Sequence, residues 1–285
     1  MSTSLAGVLA ALSAGLFGGI MGACVKHAAA DFASADMLIF RMFWSALILL
    51  PWCFHRVIYA FQKDSKMMWV RAIFGSLGAI CYFHSLKYTS VSMAVLLWSA
   101  SPVFVILISV VFLGERLSWR QIFGAITVMI GIFALKFGDY TSISLSVLTV
   151  GFAGAFFAAC AYTSLKRVPL HFDPILVVFM LSACSCVVAL PFSSQALTTI
   201  LTVGRLDLWG IAAANMIMQY SLTVAYRKID ASVAVLITQT TLVWAALFDH
   251  YAFGVAIGWY EVSLFIVIVM GIVLVQKRLP SNIGA

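Results

Sequence analysis

The sequence predicts an all-α integral membrane protein of ten transmembrane helices, arranged as two inverted five-helix repeats with both termini cytoplasmic. Three observations lead there: the composition, the lengths of the apolar runs, and a self-match at an offset of 140 residues. Of 285 residues, 64% are hydrophobic and 9% are charged, where a soluble domain carries about 25% charged residues. A water-soluble globule is thereby excluded.

A hydrocarbon layer about 30 Å thick needs about 20 helical residues at about 1.5 Å each. Cutting the chain at charged or turn-like breaks gives ten runs of that order: 5–25, 37–54, 69–86, 92–113, 121–137, 145–165, 175–193, 209–226, 232–253 and 260–276. The connections are short and carry most of the charge, as in Gly114-Glu115-Arg116 and Arg227-Lys228-Ile229-Asp230. The first run follows Met1-Ser2-Thr3-Ser4, which lacks a basic leader, so it is expected to stay as a helix.

Orientation follows from Lys and Arg, which are retained on the cytoplasmic side of short loops. With the N-terminus inside, twelve of them fall on that side: Arg56, Lys63, Lys66, Arg71, Arg116, Arg120, Lys166, Arg167, Arg227, Lys228, Lys277 and Arg278. Lys26, Lys87, Lys136 and Arg205 fall on the other. The net charge of +7 is thus an orientation signal, and the scattered basic residues form no nucleic-acid surface.

A gapless shift of 140 residues lays Lys26 on Lys166, Leu50-Pro51 on Leu190-Pro191, Trp69 on Trp209, Ala94-Val95-Leu96 on Ala234-Val235-Leu236, and Trp119 on Trp259. The repeats are 1–140 and 141–285. Each holds five spans, an odd number, so the second enters the membrane from the opposite side to the first. Secondary transporters use such inverted repeats to build two related states around one midplane site.

The stretch Lys87 to Leu96, then Ser101-Pro102-Val103-Phe104, Phe112 to Ser118, and Gly124 through Gly131-Ile132 resembles the EamA-type drug/metabolite transporters. The run Arg41 to Pro51 is similar to that family's second helix, and the likeness covers both halves. The second half departs from the pattern, with Gly254-Val255 where the first has Gly114-Glu115, and Leu242 where the first has Pro102. The resemblance implies movement of a small metabolite across the cytoplasmic membrane through a central cavity. Its members handle amino acids and amines, S-adenosylmethionine, riboflavin or metal-chelating metabolites.

Polar groups within spans are the candidates for the path, because a charge at the bilayer centre costs about 2.5–3.5 kcal/mol on insertion scales. Arg41 is either a cavity cation for an acidic group or a residue that snorkels outward or pairs with Asp36. His84 and Lys87 share one helix face, with Tyr82 nearby, and His84 is the candidate of the two. Asn215, Gln219 and Thr223 form a stripe that faces either the cavity or a neighbouring helix, with Tyr226 close to its line. The fourth and ninth spans offer Trp98, Ser99, Ser101 and Pro102, and Thr238, Gln239, Thr240, Thr241 and Trp244. An aromatic ring beside hydroxyl and amide groups suits a flat or cationic solute, while packing alone would also account for both tryptophans. Pro102, Asp249 and His250 are candidates for gating or coupling.

No cofactor or metal is expected. The six cysteines and five histidines follow no chelating spacing, which also counts against a membrane enzyme. The expected partners are a small-molecule substrate and the lipid bilayer, with a homodimer left open. The first-choice substrate is an amino acid, an amine or a related zwitterion, exported by alternating access, and the alternative is uptake or exchange of S-adenosylmethionine or riboflavin. A lipid-flipping or structural membrane component is the reading from another class.

Overall fold

In the computed structural model the described residues are 5–61, 65–101, 144–165, 167–169, 171–228 and 240–255, with shorter stretches at 103–105, 107–108, 119, 122–124, 126–127, 130, 237–238, 258–259, 262–263, 266–267 and 269–270. Among them there is no β-strand. The helices are α1 (Leu5–Ala28), α2 (Ser34–Cys53), α3 (Lys66–Tyr88), α4 (Val91–Trp98), α5 (Leu145–Leu165), α6 (Pro174–Ala189), α7 (Ala196–Leu201), α8 (Leu206–Lys228) and α9 (Thr240–Phe253). Single 3-10 turns occupy Val57–Phe61 and Leu190–Phe192.

Four of these segments are long and apolar enough to cross a membrane: Leu5–Ala28, Ser34–Cys53, Leu145–Leu165 and Pro174–Phe192. Their starts are set locally where the sequence offers a cap. Asp173 accepts from the N–H of Ile175 at 2.9 Å, and Pro174 at the first helical position has no N–H to leave unpaired. Ser90 caps α4 through the N–H of Met93 at 3.2 Å. Gly254, at φ 65°, ends α9 in a left-handed conformation that a side chain would oppose.

Of the expected span 92–113, Pro102, Ile106 and residues 109–113 lie outside the described residues, and the described part is not continuous α-helix. The helix stops at Trp98, and Ser99–Ala100 form a turn before helical backbone resumes at Ser101. The physical reason lies in the sequence: Pro102 has no N–H for the carbonyl of Trp98, four residues earlier. Interrupted helices are tolerated at membrane depth where they line a cavity.

Elements from before and after residue 140 interleave. α1 packs along α8 and α9, α3 along α5 and α6, and α2 along α6 and α8. The core is buried aliphatic and aromatic, centred on Met37 to Phe40, Phe83 and Leu96. Large apolar side chains also stand exposed around the bundle, among them Leu9, Leu12, Leu47, Ile48, Phe156 and Val187. Such a girdle is costly in water and costs nothing in hydrocarbon.

Several ties from early to late elements lie at the end of the bundle where α1 stops and α2 begins. Asp36 accepts from the Ser193 hydroxyl, from Ser194 and from the N–H of Gln195. Arg205 bridges Asp31 and Asp207, both at 2.7 Å. The indole of Trp44 donates to the carbonyl of Ile200 at 3.3 Å. At the opposite end Arg56 pairs with Asp173.

Candidate functional site: a central cavity with two buried arginines

Between the helices lies a cavity with about 120 Å³ open to the centres of water-sized molecules. One water needs about 10–15 Å³ on that measure, so the space takes a solute of several heavy atoms. Its wall comes from both ends of the chain. Fourteen of the lining residues form seven pairs separated by 140 positions, including Gly18 with Ala158, Arg41 with Leu181, Tyr82 with Leu222, Trp98 with Thr238 and Ser101 with Thr241. The paired positions match in place and differ in chemistry, with the guanidinium and the rings on the first-half side.

Arg41, on α2, is 2% exposed and lines this space. Its Nη1 donates to the sulfur of Met21 at 2.8 Å, and its guanidinium lies 4.6 Å from the centre of the Phe83 ring. A thioether is a weak acceptor, and Nε of Arg41 has no hydrogen-bond partner among the described residues. Asp36 is engaged with Ser193, Ser194 and Gln195, and among the described residues it forms no ion pair with Arg41.

Arg71, on α3, is the second cation. The distribution of Lys and Arg along the chain assigns it to the cytoplasmic belt; the structure instead buries it at 5% exposure, with Nη2 donating to Gln219 Oε1 at 3.1 Å. Its guanidinium stands 5.6 Å from the centre of the Tyr162 ring. A signal was present in the sequence, since position 71 falls within the run 69–86 and its partner at the 140 shift is the apolar Ile211.

A band of rings joins the two arginines. Tyr82 and Trp98 lie 5.3 Å apart, Trp98 donates its indole N–H to the Tyr162 hydroxyl at 3.3 Å, and Tyr162 stacks on Tyr226 at 6.1 Å and 17°. Tyr162 and Met218 were missed in the sequence, where single aromatic and thioether residues in apolar runs look like packing. No Asp or Glu lines the cavity among the described residues.

Of the sequence candidates, the structure brings Arg41, Tyr82, Trp98, Ser101, Gln219 and Thr241 to this cavity. Thr241 donates to the carbonyls of Gly15 at 3.1 Å and Thr238 at 2.8 Å, which fixes α9 against α1. Asn215 is fully buried off the cavity, with both side-chain amide atoms unpartnered among the described residues. Thr223 spends its hydroxyl on the carbonyl of Gln219 at 2.8 Å. His84 packs its ring on Tyr88 at 4.8 Å, and Trp244 lies against Gly19 on α1, both away from the cavity wall. Asp249 is buried against the start of α4, and His250 is exposed. Gln239 and Pro102 lie outside the described residues.

The family model described as the EamA-like transporter family matches residues 5–137 and 145–276. The chain belongs to the EamA-like transporter family. This EamA-like transporter is 27% identical over 278 residues to a protein of Pseudomonas aeruginosa named a pseudopaline exporter, covering 94% of this chain and 93% of that one. It is 21% identical over 230 residues to a protein of Rickettsia felis named an S-adenosylmethionine uptake transporter, covering 80% of this chain and 78% of that one. A solved crystal structure has the same fold at a TM-score of 0.66 and 18% identity, covering 94% of this chain and 95% of that one. This EamA-like transporter is therefore a multi-pass membrane protein that moves a small-molecule substrate, and not an enzyme.

Proposed function

We propose that this EamA-like transporter exports a small organic solute bearing an acidic group, an amino-acid-like zwitterion being the first choice, across the cytoplasmic (inner) membrane. The observation that carries the reading is the cavity wall, where buried Arg41 and Arg71 face no acidic side chain among the described residues. A buried guanidinium without a counter-charge is costly, and a carboxylate from the solute supplies that charge in bidentate geometry. The faces of Tyr82, Trp98 and Tyr162 suit an ammonium group or a flat body. A solute that is only cationic meets repulsion from both arginines, so a simple amine is the poorest of the original choices.

The transport cycle in this proposal is alternating access between halves 1–140 and 141–285, each with five membrane spans and opposite orientation, with both termini in the cytoplasm. The seven lining pairs at the 140 shift support it, because a site on the axis relating two inverted halves draws equivalent positions from each. Outward direction has support from the relative named an exporter, which is the more similar of the two named transporters.

Purified protein in proteoliposomes tests the reading directly. Counterflow of a zwitterionic amino acid is expected, with loss in Arg41→Ala and Gln219→Ala. Movement of only cationic or uncharged solutes, or unaltered transport in both variants, would refute it. A phosphatase reporter fused after Arg278 is expected to be inactive, as a cytoplasmic terminus requires.

A further inference from the structure

The two arginines do not sit together. The terminal Nη1 of Arg71 lies beside Gly75, 3.3 Å from where a Cβ would stand, while the guanidinium of Arg41 lies 4.6 Å from the ring of Phe83. Gly75 and Phe83 are on the same helix, eight residues apart, which corresponds to about 12 Å along α3. Between these two positions runs the ring series Tyr82, Trp98 and Tyr162, with neighbouring centroids 5.3 and 6.5 Å apart.

Each cation keeps donor capacity that the protein leaves unused. Arg41 Nε is buried and unpartnered among the described residues, and Nη1 meets only a thioether. Among the described residues Arg71 has one hydrogen bond, to a neutral amide oxygen, and no acidic group pairs with it. A solute with one acidic group can satisfy one of these stations and leaves the other bare.

We propose that the cavity is built for a two-ended solute: a molecule with an acidic group at each end, one held by Arg41 and the other by Arg71, whose body lies along the Tyr82–Trp98–Tyr162 band. This rests on the transport reading above and narrows its substrate class. Gln219 is the residue that holds the Arg71 station in register, through its 3.1 Å contact. Charge-assisted contacts of about 2.8 Å at each end take up part of the span set by the roughly 12 Å of α3 between Gly75 and Phe83. The body between the two acids is then several bonds long, and short diacids cannot reach both.

The test uses the full-length protein in detergent and a series of linear α,ω-dicarboxylic acids of rising length, each compared with its own half-amide, by ligand-induced thermal shift and calorimetry. Affinity is expected to peak at one chain length. At that length the half-amide is expected to bind roughly tenfold to a hundredfold more weakly, as for loss of one hydrogen-bonded charge pair. Arg41→Gln and Arg71→Gln should each erase the difference between diacid and half-amide, and Arg41→Lys and Arg71→Lys, which keep the charge, should partly restore it.

Equal binding of diacid and half-amide by the unaltered protein, or no dependence on length, overturns the two-ended solute. If a zwitterion with a single acid still binds and is transported under those outcomes, the transport reading stands alone. If neither acids nor zwitterions bind or move, both readings fall.

Discussion

Asp249, on α9, closes the first turn of α4 through Ser92. Its carboxylate accepts the N–H of Ser92 at 2.6 Å and the Ser92 hydroxyl, and also the N–H of Val91 at 3.0 Å. The first N–H groups of a helix have no partner within it, and here they are buried, so an acid from another element completes them. The contact joins residues 157 and 158 positions apart at the end of the bundle where Lys26 also reaches the carbonyl of Thr89. Holding a helix start and opening a gate are alternative uses of one carboxylate.

Asp249→Ala is accordingly expected to lower the melting temperature of the purified protein by several degrees, since a lost cap of this kind costs about 0.5–2 kcal/mol. Ser92→Ala should lower it less, because the backbone contacts survive. Thermal unfolding in one detergent checks both. A pH dependence of transport that disappears in Asp249→Asn without loss of stability would instead assign the residue to coupling.

Gly19 sets how closely α1 and α9 approach. A Cβ built there would lie 2.7 Å from the Cβ of Trp244, an atom no rotamer change can move. Gly19→Ala therefore has to push two helices apart, and overpacking of this sort costs about 1–3 kcal/mol. Reduced stability and transport are expected, with Gly204→Ala as the comparison, since nothing lies within 4 Å of its Cβ position. Equal behaviour of the two variants would show that the α1–α9 contact yields freely.

The Asp207 carboxyl, in the first turn of α8 ahead of the apolar run, is held below the ordinary carboxylate range, chiefly by its hydrogen bonds from Arg205. A depressed folded-state value means the tie is fully present above the unfolded value of about 3.9 and is lost as pH falls through the folded value beneath it. Melting temperatures of the unaltered protein and Asp207→Asn should thus differ at neutral pH and converge below about pH 4. A gap that stays unchanged well below about pH 4 would count against the ion pair.

How far the molecule can be read from its residues depends on which constraint acts. α1, α2, α5 and α6 are legible because the hydrocarbon layer acts on composition and length, whatever the neighbours. The break after Trp98 was half legible: Pro102 marks it, but a proline also permits a kink, and only the packed structure places the turn at Ser99–Ala100. Arg71 went astray because a basic residue near the end of a span has the same sequence signature whether it reaches water or turns inward. That choice is made by α5 and α6, which pack on α3 and cover it. The Asn215, Gln219, Thr223 stripe shared a face as expected, yet the cavity reaches only Gln219, while Asn215 lies off its wall and Thr223 turns back onto its own helix.

Gln219 gives the sharpest test of the cavity's charge. Its Oε1 is 3.1 Å from Arg71 Nη2, so Gln219→Glu would place a carboxylate where the solute's acid is proposed to compete. An internal ion pair formed at that distance satisfies the guanidinium permanently, and the solute then has to displace it. Gln219→Ala removes a neutral acceptor and leaves Arg71 more available but less well oriented. Affinity for acidic solutes is expected to fall roughly tenfold or more in Gln219→Glu, as for loss of a hydrogen bond to a charged group, and to fall by less in Gln219→Ala. Calorimetric titration on both variants checks the order. Gln219→Ala removes the hydrogen bond that ties α8 to the buried Arg71 of α3, so thermal stability should fall in that variant, whereas in Gln219→Glu it should rise if the new pair forms.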